Sequence, residues 1–161
     1  MNKELLNNTY HLKPGALVIN KQPMLVNGFI GSGLFVSLWD KKKKYSGCCS
    51  FQHPKAPLTD TKAKYADVAL NHLINQMKQL GSDMSDLRAH LIGGSITKHN
   101  SYGEKNVNAA RKLLAKNSIG ILSSDTGGTM TRKFVYYTRT GETVTAHFHQ
   151  QRKEMWFPYS A

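Results

Sequence analysis

Apolar residues recur at helical spacing in two stretches of this chain, and elsewhere they come in short runs fenced by glycine, proline or asparagine. Ala66, Ala69, Leu70, Leu73, Ile74, Met77 and Leu80 fall on one helical face, which predicts a helix from about Thr61 to Leu80 with Gly81 as its left-handed terminator. Val107, Ala110 and Leu114 mark a second helix, opened by the capping pair Ser101 and Glu104 and ended near Asn117. The short runs read as strands: Ala16 to Ile19, Met24 to Val26, Leu34 to Trp39, Cys48 to Phe51, Leu87 to Ile92, Phe134 to Thr138 and Thr143 to His149. Ile119 to Leu122 reads as a buried strand, and Asp125-Thr126-Gly127-Gly128 as a turn or loop. Two hairpins are expected, one across Lys41 to Lys44 and one across Thr140-Gly141. Strands outnumber helices and join as hairpins, which predicts an α+β fold with helices packed on largely antiparallel sheets.

A length of 161 residues fits one domain, with 1–14 as a polar N-terminal arm and 150–161 as an aromatic tail carrying Trp156. The two cysteines, Cys48 and Cys49, are sequence neighbours, and disulfide geometry strains so short a ring. The chain is therefore not a disulfide scaffold, and a reducing cytoplasm is its expected home. Nor do Cys-Cys and scattered histidines make a zinc spacing, so no metal or other cofactor is expected. The start of the chain has no secretory h-region, and no apolar run reaches the roughly 18 residues of a membrane span. No membrane insertion is expected.

Lysine and arginine number 22 against 10 acidic residues, a formal charge of +12. Such a surface favours an acidic partner. Lys41 to Lys44 follows Asp40 at the end of a strand-like run and reads as a solvated hairpin tip. No nucleic-acid-binding motif accompanies it, so nucleic acid is not the expected partner, although a basic polyanion-binding module is the reading outside any family.

Three segments, in order, resemble the CheD family. The first is Lys64-Tyr65-Ala66-Asp67-Val68-Ala69-Leu70. The second is Ala89-His90-Leu91-Ile92-Gly93-Gly94 followed by Gly103-Glu104-Lys105-Asn106-Val107. The third is Ser124-Asp125-Thr126-Gly127-Gly128 with Arg132-Lys133 and the Thr140-Gly141 hairpin. The resemblance runs from roughly Asn27 to Thr145. It implies a β-sandwich-like core flanked by helices, and hydrolysis of glutamine side-chain amides in the cytoplasmic helices of chemoreceptors. It also implies a CheC-type phosphatase as a second partner. The family's cysteine nucleophile follows a Gly-Ser pair, its histidine lies on the returning strand, and a threonine precedes the cysteine.

Deamidation needs a thiolate, an imidazole to take and return a proton, and donors for the oxyanion at one place. After the pair Gly31-Ser32, the family's cysteine position is Gly33. The histidine position falls on Ser50 and the threonine position on Asn27. Glycine offers no nucleophile, and serine does not titrate near neutral pH as imidazole does. The leading expectation is a CheD-like protein that binds without chemistry. The alternatives are a relocated nucleophile at Cys48, which shares a strand face with Ser50 and lies near His53, or attack by Ser32. Lys98, Arg132 and Trp156 are the residues expected to meet a partner, Arg132 as a solvated surface arginine. His147 and His149 stand two apart on one strand face without a visible third metal ligand.

Overall fold

The computed structural model describes residues 8–149. The aromatic tail with Trp156 and the first half of the polar arm lie outside the described residues. Nine strands and two α-helices are present among the described residues. In chain order the strands are β1 (Thr9–His11), β2 (Leu17–Asn20), β3 (Leu25–Ile30), β4 (Leu34–Asp40), β5 (Tyr45–Phe51), β6 (Leu87–Gly93), β7 (Gly120–Thr126), β8 (Thr131–Tyr137) and β9 (Thr143–Phe148). Helix α1 (Ala66–Gln79) follows β5, and α2 (Tyr102–Lys116) follows β6.

The strands form a four-stranded sheet ordered β1-β3-β8-β9 and a five-stranded sheet ordered β2-β5-β4-β6-β7. Only β1 with β3 and β6 with β7 pair in parallel. Alternation along β4 and β5 builds two cores. Leu34, Val36, Leu38, Cys49 and Phe51 face the helices, meeting Leu70, Leu73, Met77, Ala110 and Leu114. Phe35 and Cys48 face the other way, toward Val26, Phe134 and Tyr136 of the four-stranded sheet. The rings of Phe35 and Phe134 lie 4.3 Å apart between the sheets. The α+β architecture is therefore sheet on sheet, with both helices on the outer face of the larger sheet.

Several boundaries differ from the sequence reading. Helix α1 starts at Ala66, five residues later than expected. The backbone N–H groups of Gln52 and His53 donate to Lys64 O at 2.8 and 3.0 Å, and Ala66 N–H donates to His53 O at 2.8 Å. Those bonds hold Tyr65 extended, bridged to His53 beside the end of β5, with Lys64 in the turn before it. Ser101 precedes α2, but its side chain makes no cap; Asn100 Oδ1 accepts from Tyr102 N–H at 2.8 Å instead. Strand β7 runs on through Asp125 and Thr126, and it is an exposed edge rather than a buried strand, with Leu122 56% exposed. The connection to β8 is 127–130, with Gly127 and Gly128 both at positive φ. The lysine run is an exposed turn organised by buried Asp40, whose Oδ1 accepts from Lys42 and Lys43 N–H at 3.0 and 2.8 Å. Among the described residues, no helix is long and apolar enough to cross a membrane.

Candidate functional site

The turn between β3 and β4, the end of β5, and the loops after β6 and before β8 meet around a cleft of about 370 Å³. Backbone hydrogen bonds lock these segments together. Gly94 N–H donates to Gly33 O at 2.7 Å, Ser95 N–H to Gly31 O at 3.0 Å, and Ile96 N–H to Gly128 O at 2.8 Å. Helix α2 closes the same end, because Gly103 allows very close approach: a Cβ there would fall 2.1 Å from Ser95 O. Asn106, fully buried, donates from Nδ2 to Ser32 O and to Gln52 O, each at 2.9 Å. It joins two walls of the cleft.

The side chains on these walls are hydroxyls and carboxamides. Ser32, Ser95, Thr97, Thr129 and Thr131 supply the hydroxyls, and Gln52 and Asn100 the amides. Asn100 Nδ2 donates to Ser32 Oγ at 3.3 Å. Among the described residues, none lining the cleft is ionisable. Phe29, 37% exposed, gives one wall an apolar face, with Lys133 Nζ 5.6 Å from its ring centre. Lys98 is exposed between Thr97 and Asn100, at the rim.

Behind the cleft a buried arginine ties the two sheets together. Arg132 Nε donates to Asp125 Oδ1 at 3.1 Å, and Nη2 donates to Gly127 O at 2.8 Å. Its Nη1 reaches Gly93 O at 3.3 Å. Asp125 Oδ2 also accepts from Thr145 Oγ1 and lies 2.8 Å from His147 Nε2. Burial raises the Asp125 carboxyl, but His147, Thr145 and Arg132 outweigh it and hold the group below its ordinary value. The expectation of a solvated Arg132 meeting a partner is corrected here, since the residue is 5% exposed and its donors are spent on Asp125 and backbone carbonyls. His147 is likewise engaged, by Asp125.

A family model described as CheD chemotactic sensory transduction matches residues 51–147. The chain is 33% identical over 138 residues to the "Probable chemoreceptor glutamine deamidase CheD" of Rhodospirillum rubrum, covering 83% of this chain and 78% of that one. It is 32% identical over 137 residues to the "Chemoreceptor glutamine deamidase CheD" of Halalkalibacterium halodurans, covering 78% and 85%. A "Probable chemoreceptor glutamine deamidase CheD" of Methanococcus vannielii is 31% identical, covering 83% and 91%. This chain belongs to the CheD family. The matched segment of the CheD model begins one residue after Ser50, so it takes in neither Gly33 nor Ser50.

Of the three positions that the CheD resemblance assigns to chemistry, the fold brings Gly33 and Ser50 near each other and leaves Asn27 apart. Ser50 pairs with Phe35, so Gly33, two residues before Phe35, projects from the same sheet face as Ser50. Gly33 lines the cleft, and Ser50 is 3% exposed beneath it. Asn27 is not brought to the cleft; its Oδ1 lies 2.7 Å from His11 Nδ1. Cys48 shares the face of Ser50, one step deeper between the sheets, with no exposure. Burial, with Cys49 alongside, pushes its thiol well up, the opposite of what a nucleophile needs. His53 packs between aromatic rings, 5.6 Å from Tyr65 and 5.4 Å from Tyr102, and it does not line the cleft. Ser32 is in the cleft without an imidazole on its walls. Asn106 was not singled out from sequence; its signal is a polar residue four before Ala110 and eight before Leu114, on the buried row of α2.

Proposed function

We propose that this CheD-family protein binds the cytoplasmic helices of chemoreceptors and receives a side chain in the cleft without hydrolysing it. The partner class comes from the relatives, whose names describe chemoreceptor glutamine deamidases. The observation that carries the non-catalytic half is the chemistry of the cleft walls: hydroxyl, carboxamide and backbone groups, with Gly33 where the resemblance puts the thiol. Amide hydrolysis needs an activated nucleophile and a group to protonate the departing ammonia. Neutral donors and acceptors instead suit an uncharged polar side chain, which they hold in one orientation. Burial of Cys48 counts against a relocated nucleophile. A cytoplasmic location and a CheC-type phosphatase as second partner belong to the same reading.

Binding of a glutamine-bearing receptor cytoplasmic fragment, followed by calorimetry, tests this. The native protein is expected to bind with a Kd of about 10 μM or tighter. Ser32→Phe, which fills the cleft, is expected to weaken binding at least about tenfold. A native protein that shows no heat and no co-elution with the fragment overturns the reading.

A further inference from the structure

Helix α2 carries lysines on its open side. Lys105 and Lys112 stand two turns apart on one face, and Lys55 approaches from the loop after β5. All three are exposed. Between them runs an open groove of about 490 Å³ with Pro54, Ala109 and Leu113 on its floor. One carboxylate borders it, that of Asp67. Asp67 Oδ1 accepts from Ala56 and Val68 N–H, each at 3.0 Å, so it fixes the loop that forms one wall.

The three ammonium groups lack carboxylate partners. Neither ion pair found among the described residues involves Lys55, Lys105 or Lys112. Lys105 lies over the Tyr102 ring, 5.5 Å from its centre. An apolar floor bordered by three lysines against one carboxylate matches a helix with an apolar stripe at i, i+3/i+4 and i+7 and carboxylates on its flanks. A nucleic acid would satisfy the lysines but not the apolar floor of Pro54, Ala109 and Leu113, beside which Asn108 is the one carboxamide.

The groove lies next to the cleft in the fold, although the two share no lining residue. Gln52, on the cleft wall, is three residues before Lys55, and its carbonyl accepts from Asn106, the neighbour of Lys105. We infer that the groove docks an acidic amphipathic helix belonging to the same protein partner whose side chain enters the cleft. The inference rests on the cleft-binding reading and adds to it the surface and the charge pattern that select the partner.

Two probes and two charge-matched variants test it. The probes are the receptor cytoplasmic fragment and a synthetic acidic amphipathic helix. Lys105→Glu with Lys112→Glu changes the groove; Lys41→Glu with Lys42→Glu makes the same change of net charge at the hairpin tip, at the far end of β4 from the cleft. Circular dichroism establishes that both variants fold. The groove variant is expected to lose at least about tenfold in affinity for both probes and to show a shallower salt dependence. The tip variant is expected to lose less than about threefold. Equal losses in the two variants, or none in the groove variant, overturn the inference. So does duplex DNA that outcompetes the acidic helix at physiological salt. A receptor fragment that binds all forms alike removes the groove and leaves the cleft reading standing. An acidic helix that binds through the groove while the fragment does not removes the cleft reading and leaves the groove.

Discussion

Arg132 Nε and Asp125 Oδ1 meet at 3.1 Å between strands of different sheets. Asp125 is the penultimate residue of β7 in the five-stranded sheet, and Arg132 the second of β8 in the four-stranded one. The same guanidinium holds the carbonyls of Gly93 and Gly127, at the roots of two loops that form the cleft. Removing it takes one donor each from the Asp125 carboxylate, which keeps Thr145 and His147, and from the carbonyls of Gly93 and Gly127. Arg132→Met is expected to lower unfolding stability by about 2–4 kcal/mol, read from urea denaturation. A loss below about 0.5 kcal/mol contradicts the clamp.

His90 sits 3% exposed between the sheets, with Nδ1 2.6 Å from Ser123 Oγ and no partner for Nε2. Burial lowers its pKa from the ordinary 6.5 to about 4. In this window the unfolded chain binds the proton that the folded chain refuses, so stability falls as the pH drops from about 6.5 to about 4 and levels off below that. The expected loss is about 2–3 kcal/mol. Unfolding free energies across that range, for native protein and His90→Gln, check it. A slope unchanged in the variant contradicts the assignment to His90.

Gly33 has no room for a side chain as the strands stand. A Cβ there would lie 2.6 Å from Phe51 O and 3.2 Å from Ile30 Cδ1. Gly33→Ala is expected to cost about 1–3 kcal/mol, because the nearer atom is strand backbone. Gly33→Cys with Ser50→His is expected to be destabilised similarly and to release no ammonia from a receptor fragment. An undiminished melting temperature would mean that Phe51 yields easily.

Both cysteines are fully buried, on opposite faces of β5, and burial raises both thiols. Neither is expected to react with a thiol reagent at neutral pH over the time in which denatured protein reacts completely. Rapid labelling of Cys48 in the folded state would contradict its placement between the sheets.

What could be read from the sequence is what local periodicity encodes. The stripe from Ala66 to Met77 identified α1, and strand alternation put Cys48 and Cys49 on opposite faces, as the two cores bear out. The start of α1 was misjudged because Lys64 and Tyr65 answer to the end of β5, a contact that no window around Thr61 contains. Arg132 was misread for the same reason. Its partners lie at Gly93, Asp125 and Gly127, and nothing beside it in sequence compensates its charge. Gly33 and Ser50 came from the resemblance alone; the register of β4 and β5 places Ser50 opposite Phe35, two residues after Gly33. The cleft itself was not legible, since its walls come from five separate connections and Asn106 links two of them from a helix.

The central claim is that the cleft binds a receptor side chain without cleaving its amide. It is tested most directly by incubating the purified protein with a glutamine-bearing receptor cytoplasmic domain and measuring released ammonia together with conversion of glutamine to glutamate by peptide mass spectrometry. The account predicts no release above a protein-free control, alongside measurable binding. Release that disappears in Cys48→Ala or Ser32→Ala would contradict it, and would identify which of those residues had taken over as nucleophile.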